Sequence, residues 1–303
     1  MQQPLDRTFI HRERRGSIAA FLHGADIACT MSGLPHHWRH ATLAVTCARP
    51  KAFEGGEWFP AALRGAWGRQ LAERASSGRD MAPFEIFFRG LGGLGAGRSI
   101  PAPFSVRVDE NGAVLHIALT LHGIADRWRE PSFDAFIAAL EHGVAIRPLS
   151  TLRRVSFEIV NTAWSRAERF SVPIATGPAW LQFQTPVRLG ARRSVRAHWP
   201  DLIVSLADRL SRLARWQGLL VSSDLGEWRR RAESLKFDDR HMRPVTWGRR
   251  SGAQGGKFVP MVGLIGTLGV ASVPEDLLPL LALGQLVHVG GHTALGLGRY
   301  ELL

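Results

Sequence analysis

Two neighbouring stretches, FSVRV (residues 104–108) and VLHIALTLHG (residues 114–123), decide the fold. In each, apolar side chains alternate with polar or small ones, which is typical of strands that bury one face. In the segment that follows, Ser132 can cap a helix, and apolar residues recur at helical spacing from Phe133 to Leu140. We therefore expect a strand–strand–helix unit at the centre of the first half of the chain.

The flanking segments extend this unit on both sides. ATLAVTC (residues 41–47) predicts a strand, and residues 61–74 predict a helix whose apolar side chains recur at a spacing of four. RRVSFEIVN (residues 153–161) predicts a further strand. The resulting order, β-α-β-β-α-β, is the ferredoxin-like plan.

The second half of the chain repeats this order. WLQFQTPVRL (residues 180–189) predicts a strand, and residues 201–218 predict a strongly amphipathic helix. A strand pair follows in VTWGRR (residues 245–250) and FVPMVGLIGTLGV (residues 258–270), and between the pair and the helix residues 236–243 are expected to be flexible. A short helix and the final strand GRYEL complete the plan at residues 277–286 and 298–302.

These patterns predict an α+β protein with two tandem ferredoxin-like (RRM-like) domains and a glycine-rich loop near the C-terminus. The predicted divisions are an N-terminal extension at residues 1–38, a first domain at residues 39–165 and a second, RNA-binding domain at residues 166–303.

The charge balance indicates a polyanionic partner. The 303 residues contain 38 lysines and arginines against 26 acidic residues, a formal charge of +12. Only three of the 38 are lysines, so 35 are arginines, which make planar bidentate contacts with phosphate and stack on bases. A GC-rich coding sequence would also raise the arginine content, and this alternative stays open.

Several classes of protein are not expected. Cys29 and Cys47 alone cannot form a disulfide framework, and no C-x-x-C motif indicates zinc. Residues 1–15 are polar and mixed in charge, unlike a secretory signal. The uncharged run at residues 258–274 is interrupted by proline and glycine, so no membrane span is expected. The sequence predicts a soluble, cytoplasmic protein.

Two glycine-rich stretches lead to different expectations. Residues 90–95 match G-x-G-x-x-G, but prolines and a strand follow instead of a helix, so we expect no dinucleotide and no other cofactor. HVGGHTALGLGRY (residues 288–300) contains enough glycine for backbone N–H groups to approach phosphate closely. A tight turn before an edge strand would have the same composition, so both interpretations stay open.

Four motifs occur in a defined order: LRGAWGRQL (residues 63–71), ALTLHGIADRWREPSFDAFIAALEHG (residues 118–143), FQTPVRL followed by DRLSRLARWQG (residues 183–189 and 208–218), and LLALGQLVHVGGHTALGLGRYEL (residues 280–302). Together they resemble the Cas pre-crRNA-processing endoribonucleases of the RAMP superfamily, over about residues 40–303. The resemblance implies metal-independent cleavage of CRISPR repeat RNA by its own 2′-hydroxyl, which leaves a 2′,3′-cyclic phosphate and a 5′-hydroxyl. It also implies retention of the crRNA hairpin and association with other Cas effector-complex subunits.

The resemblance does not transfer a complete catalytic set. Family members usually carry a histidine in or near the first helix, and residues 41–115 contain none. The candidate bases are therefore His36, His37 and His40, with Arg64 as a candidate for stabilising the charged phosphorane. Some members do not cut, so a non-catalytic RNA-binding subunit of a CRISPR ribonucleoprotein complex is the alternative.

RNA binding is predicted at the arginine clusters and at the glycine-rich end, because RNA stems are recognised largely through phosphate contacts and shape. Where the resembled family often has a lysine, Gly291 stands here, and the neighbouring His292 is expected to contact RNA. No metal ligand is predicted. The predicted RNA-binding residues are Arg69, Arg188, Arg192, Arg193, Arg209, Arg212, Arg229, Arg230, Arg231, Arg249, Arg250, Lys257, Gly290, Gly291, His292, Thr293, Gly296 and Gly298.

Overall fold

The computed structural model describes most of the chain. The described residues are 15–51, 53, 55–56, 59–76, 82–90, 99–146, 153–172, 177–189, 197–222, 224–251 and 257–303. The helices are α1 (Arg15–His23), α2 (Phe59–Ser76), α3 (Arg129–Glu141), α4 (Pro200–Leu213), α5 (Leu225–Glu233) and α6 (Leu278–Val287). The strands are β1 (Ile27–Cys29), β2 (His40–Ala48), β3 (Phe104–Asn111), β4 (Val114–His122), β5 (Val144–Ile146), β6 (Arg153–Val155), β7 (Ile159–Ala167), β8 (Gly177–Val187), β9 (Leu219–Val221), β10 (Phe237–Ser251), β11 (Lys257–Val273) and β12 (Tyr300–Leu302).

The first four-stranded sheet has the order β3-β4-β2-β7, with every neighbouring pair antiparallel. In β2, side chains alternate, so that Leu43 and Val45 are buried. Helices α2 and α3 pack against each other, and Trp67 Nε1 of α2 donates a hydrogen bond to the Ser132 carbonyl of α3 at 3.0 Å. The predicted ferredoxin-like order is confirmed in this half.

Two local predictions in the first half are wrong. Helix α3 begins at Arg129 rather than after Ser132, because Pro131 is compatible with the first turn of a helix. The strand predicted at residues 153–161 is divided in two: β6 pairs with β5, and β7 forms the sheet edge. Between β6 and β7 the buried ring of Phe157 packs against Phe59, with ring centroids 5.4 Å apart. This contact directs the chain into the core and interrupts the strand.

The second four-stranded sheet has the order β10-β11-β8-β12 and is also antiparallel. Relative to their neighbours, the strands occupy the same places as in the first sheet, so the tandem plan is confirmed. The predicted amphipathic helix is α4, whose Leu206 and Leu210 are fully buried. Residues 237–243, expected to be flexible, are instead the beginning of β10, because β10 pairs with β11 along almost its whole length.

The segment predicted as an N-terminal extension contributes to the fold in its described part. Helix α1 precedes β1, which pairs in parallel with β9 of the second half through Ile27 and Leu219. The division predicted between residues 165 and 166 falls inside β7. None of the helices in the described ranges is long and apolar enough to cross a membrane.

The two halves meet through close backbone contacts. The Gln217 side chain accepts a hydrogen bond from the Arg39 N–H at 3.1 Å and donates one to the Arg39 carbonyl at 2.9 Å. Gly123 has φ +62°, and a Cβ atom there would lie 2.0 Å from the carbonyl oxygen of Trp216. Only glycine permits this approach, so the junction is rigidly specified by the sequence.

We predict that Gly123→Ala destabilises the protein far more than Gly112→Ala. Both residues have a positive φ, but nothing lies within 4 Å of a Cβ at Gly112. The control should therefore cost only the left-handed backbone penalty of about 1–2 kcal/mol, whereas Gly123→Ala adds a clash with fixed backbone. Urea unfolding measures both; equal losses would contradict the close contact.

Candidate nucleic-acid interface

The glycine-rich loop, residues 288–299, connects α6 to β12 and has an unusual backbone. His288 and His292 have φ values of 64° and 62°. A Cβ atom on Gly298 would lie 1.8 Å from the Val289 carbonyl oxygen, and one on Gly296 would lie 2.5 Å from Cβ of Pro60. These two glycines are therefore required by close packing, as the turn interpretation of the sequence supposed.

A buried arginine fixes the loop to both halves. The Arg299 guanidinium is 3% exposed, lies 2.5 Å from an oxygen of Asp109 in β3 and lies 3.1 Å from one of Glu301 in β12. Thr185 of β8 donates a hydrogen bond to the Gly296 carbonyl at 2.8 Å and accepts one from the Arg299 N–H at 2.9 Å. The loop is thus held at the junction of the two sheets.

The other loop residues divide between packing and exposure. Gly290 lies against Arg188, whose carbonyl oxygen would be 2.3 Å from a Cβ at position 290, and Thr293 is buried. Gly291 and His292 are exposed, and the Gly291 N–H donates to the Arg188 carbonyl at 2.9 Å. The exposed apex of the loop is therefore formed by residues 291 and 292.

The loop lies against the beginning of α2, and this contact brings Arg64 into the site. Pro60, which contacts Gly296, is one turn before Arg64 on the same helix. The Arg64 guanidinium carbon lies 4.6 Å from the ring centroid of Phe88 and 5.9 Å from that of Phe104. Cation–π contacts of this kind hold the guanidinium in place without cancelling its charge.

The three histidine candidates lie elsewhere in the first half. His36 and His37 are exposed on the 3-10 turn Leu34–His37, and His40 begins β2 directly opposite His122 of β4. Helix α2 begins near the other end of β2, where Phe59 packs against Phe157. The structure therefore places His40 beside the buried His122, which is itself influenced by His288 at the beginning of the glycine-rich loop, and it groups Arg64 with the Gly296 segment of that loop.

Two predicted RNA-binding arginines instead support the fold. Arg209 of α4 is buried and donates to the Val287 carbonyl at 2.9 Å, and burial lowers its pKa to about 9. Arg212 donates to an oxygen of Asp208 at 2.5 Å and to the Ser99 carbonyl at 2.9 Å. The sequence placed both on a solvated helix face, but that face packs on α6 and on the first half, so these positions do not fit RNA contact.

The remaining predicted arginines are largely on the surface. On α5, Arg229 pairs with Asp201 at 3.0 Å, Arg230 lies 4.0 Å from Asp224, and Arg231 pairs with Glu227 and Asp276. Such exposed pairs contribute little to stability. Arg69 is on the surface of α2, and partial desolvation and the charge of Arg154 lower its pKa, although Glu73 acts in the opposite direction.

A long hairpin carries the other predicted cations. Beyond the sheet, β10 and β11 continue as a two-stranded arm in which Arg249 pairs with Val259 and Arg250 with Phe258, close to Lys257. Arg188 lies at the base of this arm, 3.7 Å from the Met261 sulfur. Arg192 and Arg193 lie outside the described residues.

The charged groups at the junction itself were not predicted from the sequence. Arg299 and Asp109 are 190 positions apart, and no local pattern links them. The same holds for His288, which is buried beside Arg209, Arg299 and Arg107; burial and these three charges lower its pKa to about 3. His122 is likewise buried, and burial, His40, Arg209 and His288 lower its pKa.

Two tandem ferredoxin-like units, each with a four-stranded antiparallel sheet, place this chain in the RRM-like fold class. Within that class, residues 181–300 match the family model described as CRISPR-associated endoribonuclease Cas6. This match confirms the predicted resemblance to the Cas pre-crRNA-processing endoribonucleases over residues 181–300. A search among curated proteins finds no match.

Solved structures show the same fold over most of the chain. A Cas6 protein of Thermus thermophilus in a product complex superposes with a TM-score of 0.51 at 18% sequence identity, covering 87% of this chain and 99% of that one. A second Cas6 product complex gives a TM-score of 0.50 at 19% identity, covering 88% and 99% of the two chains. The likeness extends across both halves.

We predict that the junction histidines make stability fall with acid. Their folded-state pKa values lie below the ordinary histidine value of 6.5, so the unfolded chain binds more protons below that pH. Each contributes a loss of up to about 1.4 kcal/mol per pH unit as the pH falls from 6.5 towards the folded-state pKa. His288→Asn keeps a residue type that tolerates a positive φ and removes one titrating group.

The free energy of unfolding in urea between pH 7 and pH 4 checks this prediction. The free energy of unfolding should fall more steeply with decreasing pH for the wild type than for His288→Asn. At pH 7 the wild type should therefore exceed the variant in stability by more than it does at pH 4. Identical slopes would show that His288 does not titrate on unfolding.

Proposed function

We propose that this chain is a CRISPR-associated endoribonuclease that binds and cleaves repeat RNA. The observation that carries the proposal is the match of residues 181–300 to the Cas6 family model. The arginine-rich junction between two ferredoxin-like units supports it, since RNA stems are bound mainly through their phosphates. The proposed partner is the hairpin of the CRISPR repeat, and we further propose that the product stays bound and joins other Cas subunits.

The proposed reaction is an in-line transesterification that needs no metal ion. The 2′-oxygen attacks the adjacent phosphorus while its proton passes to a base, and the bond to the 5′-oxygen breaks as that oxygen takes up a proton. The products are a 2′,3′-cyclic phosphate and a 5′-hydroxyl. The protein must hold these atoms in line and stabilise the additional negative charge on the phosphorane.

Arg64 is the residue best suited to the phosphorane. Its guanidinium is held over two aromatic rings, and the same helix contacts the glycine-rich loop through Pro60. A fixed cation on the helix that contacts this loop provides positive charge where a phosphate would be bound.

The base is proposed among His36, His37 and His40. Burial lowers the pKa of His40, so its neutral form, which a general base requires, predominates near neutral pH. His36 and His37 are exposed and free to approach RNA that bridges the junction.

A second candidate function is a non-catalytic RNA-binding subunit of a CRISPR ribonucleoprotein complex. The absence of histidine from residues 41–115, and so from helix α2, favours it. The two functions share the same RNA-binding surface and differ only in whether the bound RNA is cut.

We predict one cut at the base of the repeat hairpin in excess EDTA, with a 2′,3′-cyclic phosphate on the upstream fragment. Arg64→Ala should lower the single-turnover cleavage rate by about 10²–10³-fold, because a fixed charge at the phosphorane is lost. The control is Arg74→Ala on the same helix, whose side chain pairs with Asp134 at 3.7 Å and which should cut normally. Alanine at the true base among His36, His37 and His40 should cost about 10²–10⁴-fold.

End analysis of the fragments, together with binding by filter retention, separates the two functions. Tight, salt-sensitive binding without cleavage would establish the non-catalytic subunit. Normal cleavage by all three histidine variants would exclude a base in the His36–His40 segment. Cleavage that disappears in EDTA would overturn the metal-independent mechanism.

A further inference from the structure

The second sheet has an open face that the helices do not cover. Along β8, buried Ala179, Leu181 and Phe183 alternate with exposed Pro178, Trp180, Gln182 and Gln184. The buried set faces α4 and α6, so the exposed set lies on the opposite side of the sheet. A large aromatic side chain in the middle of an open sheet face is unusual, since such rings normally contribute to a core.

The Trp180 ring lies over the backbone of the neighbouring strand β11. Its partner across the strand pair is Gly269, and a Cβ atom on that glycine would lie 2.6 Å from Cζ3 of the indole. The ring therefore occupies the space above a bare backbone, and Trp180 as a whole remains 39% exposed. The arrangement leaves part of the aromatic ring accessible for stacking.

Hydrogen-bonding side chains surround the ring. Gln182, the next outward residue of β8, pairs in register with Thr267, which pairs with the exposed His241 of β10. Two residues further along β10 is the exposed Arg243. The nearby Glu301 is engaged by Arg299 at 3.1 Å. The face thus combines an aromatic plane, neutral donors and acceptors, and a cation.

This combination matches unpaired RNA better than a duplex or a protein. Single-stranded RNA is recognised by stacking bases on aromatic rings of an open sheet and by polar contacts to base edges. The net charge of +12 favours a polyanion over an average protein surface.

We propose that the open face of the second sheet binds the unpaired segment flanking the repeat hairpin, with one base stacked on Trp180. The inference rests on the proposed function for the presence of repeat RNA. The topology supports the placement: β12 follows directly from the glycine-rich loop, and it pairs with β8 through Glu301 and Gln182. RNA that leaves the end of the loop, opposite Gln184, would follow β8 for four residues, about 13 Å, to reach Trp180.

The test compares two RNAs and three variants. The RNAs are the repeat hairpin alone and the same hairpin with its unpaired flanks. The variants are Trp180→Ala, Trp180→Phe and, as the matched control, Trp164→Ala, which removes a tryptophan that is 58% exposed on β7 of the first sheet. Dissociation constants are measured by fluorescence anisotropy under non-cleaving conditions with a 2′-deoxy substitution at the cut site.

Trp180→Ala should weaken binding of the flanked RNA about 5- to 150-fold, the range expected for one stacked base. Binding of the hairpin alone should not change. Trp180→Phe should retain most of the affinity, because a phenyl ring still stacks, and Trp164→Ala should match the wild type on both RNAs.

Three results would overturn the inference. Unchanged binding of both RNAs by Trp180→Ala would leave the face free for a protein partner, and equal loss on both RNAs would mean a structural role for the ring. Equal loss by Trp164→Ala would show that the effect is not specific to this face. If the wild type neither binds nor cuts repeat RNA, the proposed function fails. Binding of oligouridylate by the wild type and by Trp180→Ala then tests separately whether the sheet face binds single-stranded RNA. Equal affinities of the two proteins for oligouridylate would overturn the inference.

Discussion

The buried guanidinium of Arg299 is the interaction on which the junction depends. It extends from the end of the glycine-rich loop to Asp109 and to the Val108 carbonyl, at 2.5 and 3.2 Å, and so joins the second half to β3 of the first. Removing a charge from water is costly unless it is closely paired and hydrogen-bonded. Glu301 is its one charged partner from the same half among the described residues, so the guanidinium is fully paired only when the two halves are correctly docked.

The geometry of the loop follows from this anchor. Thr185 binds both the Arg299 N–H and the Gly296 carbonyl, so fixing Arg299 also fixes the segment that lies on Pro60. Glycine at positions 296 and 298 then permits contacts that any Cβ would prevent. The same arginine helps to keep His288 neutral, because a second positive charge beside it is unfavourable.

The sequence was sufficient for the order of elements but not for the contacts between them. Alternating strands and helical spacing predicted both β-α-β-β-α-β units, since each pattern is local. The division of the strand at residues 153–161 depends on Phe157 packing on Phe59, which are almost a hundred positions apart. The role of Arg209 also depends on a long-range contact. Its helix face is polar in the sequence, but in the structure its side chain is buried and donates a hydrogen bond to the Val287 carbonyl.

For the site, composition identified the glycine-rich loop, and long-range packing decided which side chains accompany it. The histidines at the beginning of β2 were the natural candidates for proton transfer, yet the loop contacts the helix that carries Arg64. His40 is nevertheless connected to the beginning of the loop, because it lies opposite His122, whose pKa is lowered by both His40 and His288. On the other side of the loop, β12 leads to the open face of the second sheet. The loop thus lies between a site suited to a scissile phosphate and a surface suited to unpaired bases, and an RNA bound at its exposed apex would be oriented by both.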